Sequence, residues 1–481
     1  MFNTRNQIKK NIYNYIYKNL SNNVGTKKYF IIFLFTFWAS LWLSIGSQPN
    51  SLKLFGNSFI DNINAIRIAI PLLLSILTTA ILVYLIFKEK NFDKIHHLFL
   101  IFYIFFFFQI IGLIFNNDVN FTLGNSYLIL LAIGSLNILL IIKILRFDFL
   151  AKILLYSSIL ICILFLIFFI FKNLDKFNES LLVSNFYSIS KPGDLFMGFA
   201  QPRSTGLARI FSVVTIALII FNERLSHVHY KILLTFIIFS CSTIIWGFQS
   251  RGAIICFYTT VIFIFFYFDY KNKLKKFLLY LIVPIIFFNL LSFASQYYEV
   301  TVDQKKEVLE SESVKDNALQ NKSDSEQKKY NKQIEIQNRF IKHGLKTSGR
   351  VEIWKYALNR FDSKKIFGYG SQGDRYILSK RYKEYGNNSS NVLLYSLLSG
   401  GYFAVLIILV IFLWFINVLF KEKIIFRKNT IAYPENLKIS IALIFFFYMR
   451  GLIENSFSLF SIDYLLTLIS IYIVNDNFKK V

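Results

Sequence analysis

The sequence predicts an all-α integral membrane protein of about twelve transmembrane helices. Three observations predict it. Of 481 residues, 55% are apolar, with Phe 55 and Tyr 28 against Gly 20 and Pro 6. Apolar runs of about 20 residues, enough to cross roughly 30 Å of hydrocarbon, recur along the chain. Lys and Arg collect in every second connection between those runs, the asymmetry of cytoplasmic loops. Phe is at no disadvantage in lipid, so the aromatic load suits a membrane solvent. The same excess also fits an AT-rich coding bias, which carries no function.

The runs fall near 28–47, 65–87, 96–115, 124–145, 149–171, 205–222, 230–248, 252–270, 275–295, 391–419, 437–453 and 458–475. The weakest are the sixth, which carries Arg209, and the eleventh, which carries Arg450. The first starts near Lys28 after a long polar tail, so it reads as a span and not as a cleaved signal. Basic residues mark the N-terminal tail (Arg5 to Lys28) and the second connection (Lys88, Lys90, Lys94). They recur at Lys143, Arg146 and Lys152, at Arg224 and Lys231, and at Lys271 to Lys276. They return between Lys421 and Lys438 and at Lys479 and Lys480. The intervening short connections are nearly bare. This alternation puts both termini in the cytoplasm. The net charge of +25 is thus placed for topogenesis, with the lipid bilayer as partner and no nucleic acid.

The chain divides into spans one to nine over 1–295, a polar segment over 296–390, and spans ten to twelve over 391–481. A long loop crosses regardless of its charge, so 296–390 is expected outside as one large loop between the ninth and tenth spans. Its first half, 299–345, mixes Lys, Glu, Gln, Ser and Asn and is expected as exposed helix or disorder. Further on, Val351, Trp354, Ala357, Leu358 and Phe361 fall on one helical face. They predict an amphipathic helix near 350–361, lying on the membrane surface or against the bundle. Ser348 is its expected N-cap, with Gly349 freeing the backbone. Gly368, Gly370 and Gly373 predict a tight turn. The three cysteines, Cys162, Cys241 and Cys256, lie in apolar runs and imply buried thiols, not a disulfide framework.

Ionisable groups at the ends of spans are costly and so become functional candidates. Arg67, Arg203, Arg209, Arg251 and Arg450 all fall near the expected outer face, and Arg350 joins them from the large loop. Guanidinium groups bind phosphate through paired hydrogen bonds, so such a cluster suits a lipid diphosphate. The alternative is that each snorkels or aids topogenesis, although an arginine on the outer face does nothing for topogenesis. Glu454 follows Arg450 by four residues and can pair with it if the helix continues, as a structural ion pair or as a catalytic group. Asp463 can join them. His343 is the sole histidine outside the spans and cytoplasmic loops, a setting in which histidine is usually only solvated. No HExxH, DxD, P-loop or Cys/His cluster occurs in the outer regions, so neither a metal nor another cofactor is expected.

The run Ser348-Gly349-Arg350-Val351-Glu352-Ile353-Trp354-Lys355-Tyr356-Ala357-Leu358, followed by Phe361, Gly368-Tyr369-Gly370, Asn391 and Gly401, resembles the O-antigen ligase/polymerase superfamily. Gln249-Ser250-Arg251-Gly252-Ala253 and Arg203-Ser204-Thr205-Gly206-Leu207 resemble two further segments of that family. Arg450-Gly451-Leu452-Ile453-Glu454-Asn455-Ser456-Phe457, through Asp463, resembles a third. The resemblance covers about residues 200 to 475. It implies a GT-C-like helical bundle and an inverting, metal-independent glycosyltransferase of the bacterial cytoplasmic (inner) membrane, with the large loop periplasmic. The implied donor is a glycan on a polyprenyl diphosphate. The acceptor is another lipid-linked repeat unit, for a polymerase, or a lipid A core, for a ligase. Other polysaccharide-assembly proteins are compatible partners.

The resemblance suggests Arg203, Arg251 and Arg350 as diphosphate contacts, with Arg209 and Arg450 beside them and Asn391 and Tyr369 orienting sugar. One departure matters. The ligase branch carries His before the Asn, where this chain has Ser390-Asn391, and serine is a poor base without a partner. That favours a polymerase, with Glu454 the leading substitute base and His343 a weaker one. A flippase for the same lipid-linked glycan and a ligase stay as rivals. A purely structural membrane protein leaves the arginines unexplained.

Overall fold

The computed structural model describes residues 24–44, 59–89, 97–116, 118–174, 195–196, 199–200, 204–248, 250–268, 270, 272–290, 350–362, 366–379, 388–429, 434–454 and 461–478. The expectations for Arg203, Gln249, residues 299–345, His343, Ser348, Gly349 and 455–457 lie outside them.

Each predicted apolar run is helical over most of its described residues. The helices are α1 (Val24–Ser44), α2 (Phe59–Glu89), α3 (His97–Ile114), α4 (Val119–Ile144), α5 (Asp148–Lys172), α6 (Ser204–Arg224), α7 (Val228–Gly247) and α8 (Arg251–Tyr267). Next comes α9 (Lys273–Phe277), which runs through a π turn at Leu278–Ile282 into helix over 283–290. Two short helices follow, α10 (Arg350–Arg360) and α11 (Gly373–Ser379). The chain ends in α12 (Val392–Asn429), α13 (Glu435–Ile453) and α14 (Ile462–Phe478). Among the described residues the only strands are two dipeptides in the long connection after α5, where Leu195 pairs with Ala200 and Phe196 with Phe199. Among the described residues, seven helices are long and apolar enough to cross a membrane: α2, α4, α5, α6, α7, α12 and α13. Segments of α1, α3 and α8 are apolar but shorter.

Burial separates a centre from a periphery. The apolar windows of α4, α6 and α13 are 78%, 72% and 72% buried, against 22% for α7 and 28% for α12. Helix α13 packs on α14, α8 and α6, and α14 also packs on α5. The outer helices turn large apolar groups away from the protein, among them Leu73, Phe87, Phe236 and Leu413. A face of that kind is stable against hydrocarbon and not against water. Inside, polar side chains join helices: Trp38 Nε1 donates to Ser158 Oγ at 2.8 Å, and Asn137 Nδ2 to Thr79 Oγ1 at 2.8 Å. Between helices in lipid such bonds typically contribute about 1 kcal/mol.

Charges occupy both ends of the central helices. Arg209 and Arg224 lie at opposite ends of α6, about 22 Å apart at 1.5 Å per residue. At one end Arg224 meets Glu435 at 3.4 Å, and Lys143 meets Asp476 at 2.7 Å. Lys276 pairs with Glu223 there too. The other end carries Arg209, Arg450 and Asp463.

Helix α12 is broken at Gly401, whose φ of 71° and ψ of −162° lie outside the helical range. The kink exchanges backbone partners. In a continuous helix Tyr402 N–H would donate to Leu398 O. Here Tyr402 N donates to Ile366 O at 3.3 Å, and Leu398 O accepts from Tyr369 N at 2.8 Å. The Gly368–Gly370 turn therefore docks into the break and satisfies the groups it frees, as buried backbone requires. A β-carbon on Gly401 would lie 1.6 Å from Ile366 O, so no other residue fits. On the far side the turn abuts α3: a β-carbon on Gly112 would lie 2.6 Å from Gly370 N.

Helix α10 forms where the amphipathic pattern predicts, and it packs on α11, which packs on α12. It thus lies against the bundle. Its buried contacts come from Ala357, with Ile353, Trp354, Tyr356 and Phe361 partly covered. Leu358, expected on that face, is instead exposed at 53%. It stands one residue, about 100°, beyond Ala357, and Ile353 takes its place toward α11.

Candidate functional site

Five charged side chains from four elements join into one chain of alternating sign. Arg209 of α6 meets Asp463 at 3.1 Å. Asp463, at the start of α14 and fully buried, also pairs with Arg450 of α13. Arg450 in turn pairs with Glu454. The other oxygen of Glu454 faces Arg350 of α10, with Oε1 at 3.5 Å from Nη2. The order is Arg209, Asp463, Arg450, Glu454, Arg350.

Burial grades along this ladder. The Arg450, Glu454 and Asp463 side chains are at most 9% exposed, Arg209 is 18% exposed and Arg350 is 26% exposed. The ladder is therefore anchored in the bundle and opens toward α10. Among the described residues, three cations of the ladder face two of its anions. Ion pairs this dry are strong only when each charge keeps its partner, which fixes the guanidinium groups in place.

Local structure explains the arrangement. Helix α13 ends at Ile453, so Glu454 is its C-cap, in extended conformation, and not a residue of a continuing helix. The pairing survives because Glu454 N still donates to Arg450 O at 2.6 Å. Arg251 opens α8, half-buried. At the next position, a β-carbon on Gly252 would stand 3.1 Å from Glu454 Oε1 and 3.6 Å from Arg350 Nη1. The start of α8 thus abuts the open end of the ladder, and glycine there leaves room for the Glu454–Arg350 contact.

Asn391 caps α12. Its Oδ1 accepts from Leu393 N at 2.9 Å and Leu394 N at 3.0 Å, as an N-cap asparagine does. Its Nδ2 donates to Leu452 O at 3.0 Å, two residues before Glu454. Tyr369 lies under α10: its hydroxyl receives Asp362 N–H at 3.2 Å and donates to Arg360 O at 3.3 Å. Ser390 Oγ donates to Asn388 Oδ1 at 2.8 Å. Arg67 stands half-buried on α2, a helix packed on α4 and α1. The cysteines are free, with Cys162 and Cys256 buried.

The structure thus brings Arg209, Arg350, Arg450, Glu454 and Asp463 together and seats Arg251 and Asn391 beside them. Sequence reasoning missed Ser389 and Asp374. Asp374 Oδ2 accepts both Ser389 N–H at 2.9 Å and Ser389 Oγ at 3.0 Å. A lone acid directly after the glycine turn was the available signal. Asp374 is fully buried, and burial raises its carboxyl above the ordinary 3.8, with the Ser389 hydrogen bonds and Arg375 offsetting part of the rise.

Residues 234–409 match the family model described as O-antigen ligase. The matched stretch runs from α7 into α12 and contains Arg251, Arg350, Tyr369 and Asn391; Arg209, Arg450, Glu454 and Asp463 lie outside it. Curated proteins and solved structures give no match.

Proposed function

We propose that this chain, whose segment 234–409 is of the O-antigen ligase family, is a membrane glycosyltransferase that polymerises lipid-linked glycan repeat units. In this reading about twelve helices cross the inner membrane, both termini are cytoplasmic and the 296–390 segment covers the periplasmic face. The observation that carries it is the ladder of three arginines and two carboxylates, buried at one end and more exposed at Arg350 of α10.

Transfer of a sugar from a polyprenyl diphosphate leaves negative charge on the departing phosphate. Preorganised guanidinium groups stabilise that charge at the moment it develops, without reorganising solvent. In this reading Arg350 and Arg251 receive the diphosphate, with Arg203 as a third contact on the strength of its sequence segment. The positive end of the α8 dipole adds to the same field. Arg450 and Arg209, held by Asp463, form the rigid back of the site. The acceptor must be held in line with the anomeric carbon, which is positioning and not covalent chemistry. Glu454 is the ladder carboxylate that faces Arg350 and the candidate base on the acceptor hydroxyl, with Asn391 and Tyr369 shaping the sugar side.

Ser390 in place of a histidine before Asn391 supports a polymerase over a ligase. The test is deletion of the gene followed by electrophoresis of the surface glycan. A polymerase predicts loss of the long ladder with a single repeat still on the lipid A core. Polymer stranded on its lipid carrier would instead establish a ligase. Normal glycan would overturn the enzyme reading.

A further inference from the structure

Ser389 and Asn391 together tie three parts of the molecule to one short stretch. The Ser389 N–H and hydroxyl both reach Asp374 Oδ2 of α11, at 2.9 and 3.0 Å. The Ser389 carbonyl accepts from Trp354 Nε1 of α10 at 2.7 Å. Two residues on, Asn391 caps α12 and grips Leu452 O at the end of α13. Ser390 between them has a φ of 48°, in the left-handed region that is unfavourable for a side-chain-bearing residue. Such a conformation persists only where the surroundings over-determine it, and the bonds on either side do so.

The consequence reaches the ladder. Trp354 follows Arg350 by four residues, so the two share a face of α10. The Trp354–Ser389 bond therefore sets the rotation of α10 that turns Arg350 toward Glu454. The Asn391–Leu452 bond holds the backbone two residues before Glu454 itself. Asp374, which touches neither arginine nor carboxylate of the ladder, sits at the root of both links.

We infer that Asp374 is a positioning residue for the transfer reaction: through Ser389 it locks Trp354 and Asn391, and so fixes the separation of Arg350 and Glu454 at the opening of the site. This rests on the diphosphate reading for its effect on activity, and on geometry alone for the lock. Asparagine at 374 keeps an oxygen where Ser389 N–H donates, so it preserves the lock. Alanine removes it and leaves the buried Ser389 N–H unmet, while the hydroxyl keeps only Asn391 O, at 3.2 Å.

Two measurements on the full chain in lipid nanodiscs test it. Spin labels at Lys355 on α10 and Leu452 on α13, both exposed, are placed in a background whose native cysteines are replaced. The expected distance distribution is narrow in the parent, broad in Asp374→Ala and narrow again in Asp374→Asn. Ser389→Ala, which retains the backbone N–H, lies between, and it keeps the test alive if Asp374→Ala does not accumulate. A distribution in Asp374→Ala, or failing that in Ser389→Ala, identical to the parent overturns the lock.

The second measurement is transfer from polyprenyl-diphosphate-linked repeat units. Asp374→Ala is expected to lower it about 10-fold or more in the parent and by a clearly smaller factor in an Arg350→Ala background, because one of its two links runs through Arg350. Asp374→Asn is expected within about 3-fold of the parent. Fully additive losses overturn the positioning role. Transfer indifferent to Arg350→Ala overturns the diphosphate reading, while the distance measurement still decides the lock.

Discussion

Arg450→Ala and Arg350→Ala remove the two cations that face one carboxylate, yet they should fail in different ways. Arg450 is 7% exposed and pairs with both Glu454 and Asp463, themselves 9% and 0% exposed. Removing one member of a buried ion pair costs about 3–5 kcal/mol, because the remaining charge stays desolvated. Asp463 keeps Arg209 at 3.1 Å and Glu454 keeps Arg350 at 3.5 Å, so the loss should fall near the lower bound, about 3 kcal/mol. That is a large part of a typical stability of about 5–15 kcal/mol. Arg350 is 26% exposed and makes one long contact; its loss should cost about 1 kcal/mol or less, as for pairs near the surface. In transfer the order reverses in meaning. Arg350→Ala should lower turnover about 10²–10³-fold, the usual cost of deleting one charge-stabilising donor, in protein that remains folded. Thermal unfolding in detergent, run beside a transfer assay on the same preparations, separates the two effects. Equal melting temperatures for the two variants would refute the buried-ladder argument. A fully active Arg350→Ala would refute the placement of that residue.

Gly401→Ala should abolish accumulation of folded protein or lower its melting temperature by several degrees, since the added carbon would meet Ile366 O at 1.6 Å and φ is positive; fluorescence-detected size exclusion checks it. Asn391→Ala removes an N-cap and the bond to Leu452 O, and should cost about 1–2 kcal/mol of stability by thermal unfolding. For Asp374 the folded state holds its proton more tightly than the unfolded chain, so its contribution to stability is present below 3.8 and is lost as pH rises through the raised folded value. The melting temperature of the parent relative to Asp374→Asn should therefore fall as pH rises through that window, and a relative rise would contradict the assignment.

The helices were legible in the sequence because each apolar run is long enough to dominate its own local structure. The ladder was partly legible. Arginines at span ends are conspicuous against apolar neighbours, and the four-residue spacing of Arg450 and Glu454 made them partners even though α13 stops between them. What joined Arg209 to Arg450 was Asp463, and only the packing of α6, α13 and α14 reveals it as the bridge. Gly401 was visible as part of the motif, but the exchange of Tyr402 and Leu398 partners with the 366–369 turn depends on residues more than 25 positions apart. Ser389 and Asp374 look in sequence like ordinary loop residues. Their importance comes from burial and from two hydrogen bonds to a single oxygen, neither of which leaves a periodic trace. Leu358 shows the limit of helical-face reasoning: one step of rotation moved it from the predicted contact to the surface.

The most direct test of the central claim is binding of a polyprenyl diphosphate, its monophosphate and the uncharged polyprenol to purified protein in nanodiscs, read as a shift in melting temperature. The diphosphate is expected to stabilise the parent most and the polyprenol least, with the diphosphate advantage lost in Arg350→Ala and Arg251→Ala. Equal stabilisation by all three lipids, or a diphosphate advantage that survives both substitutions, would contradict it.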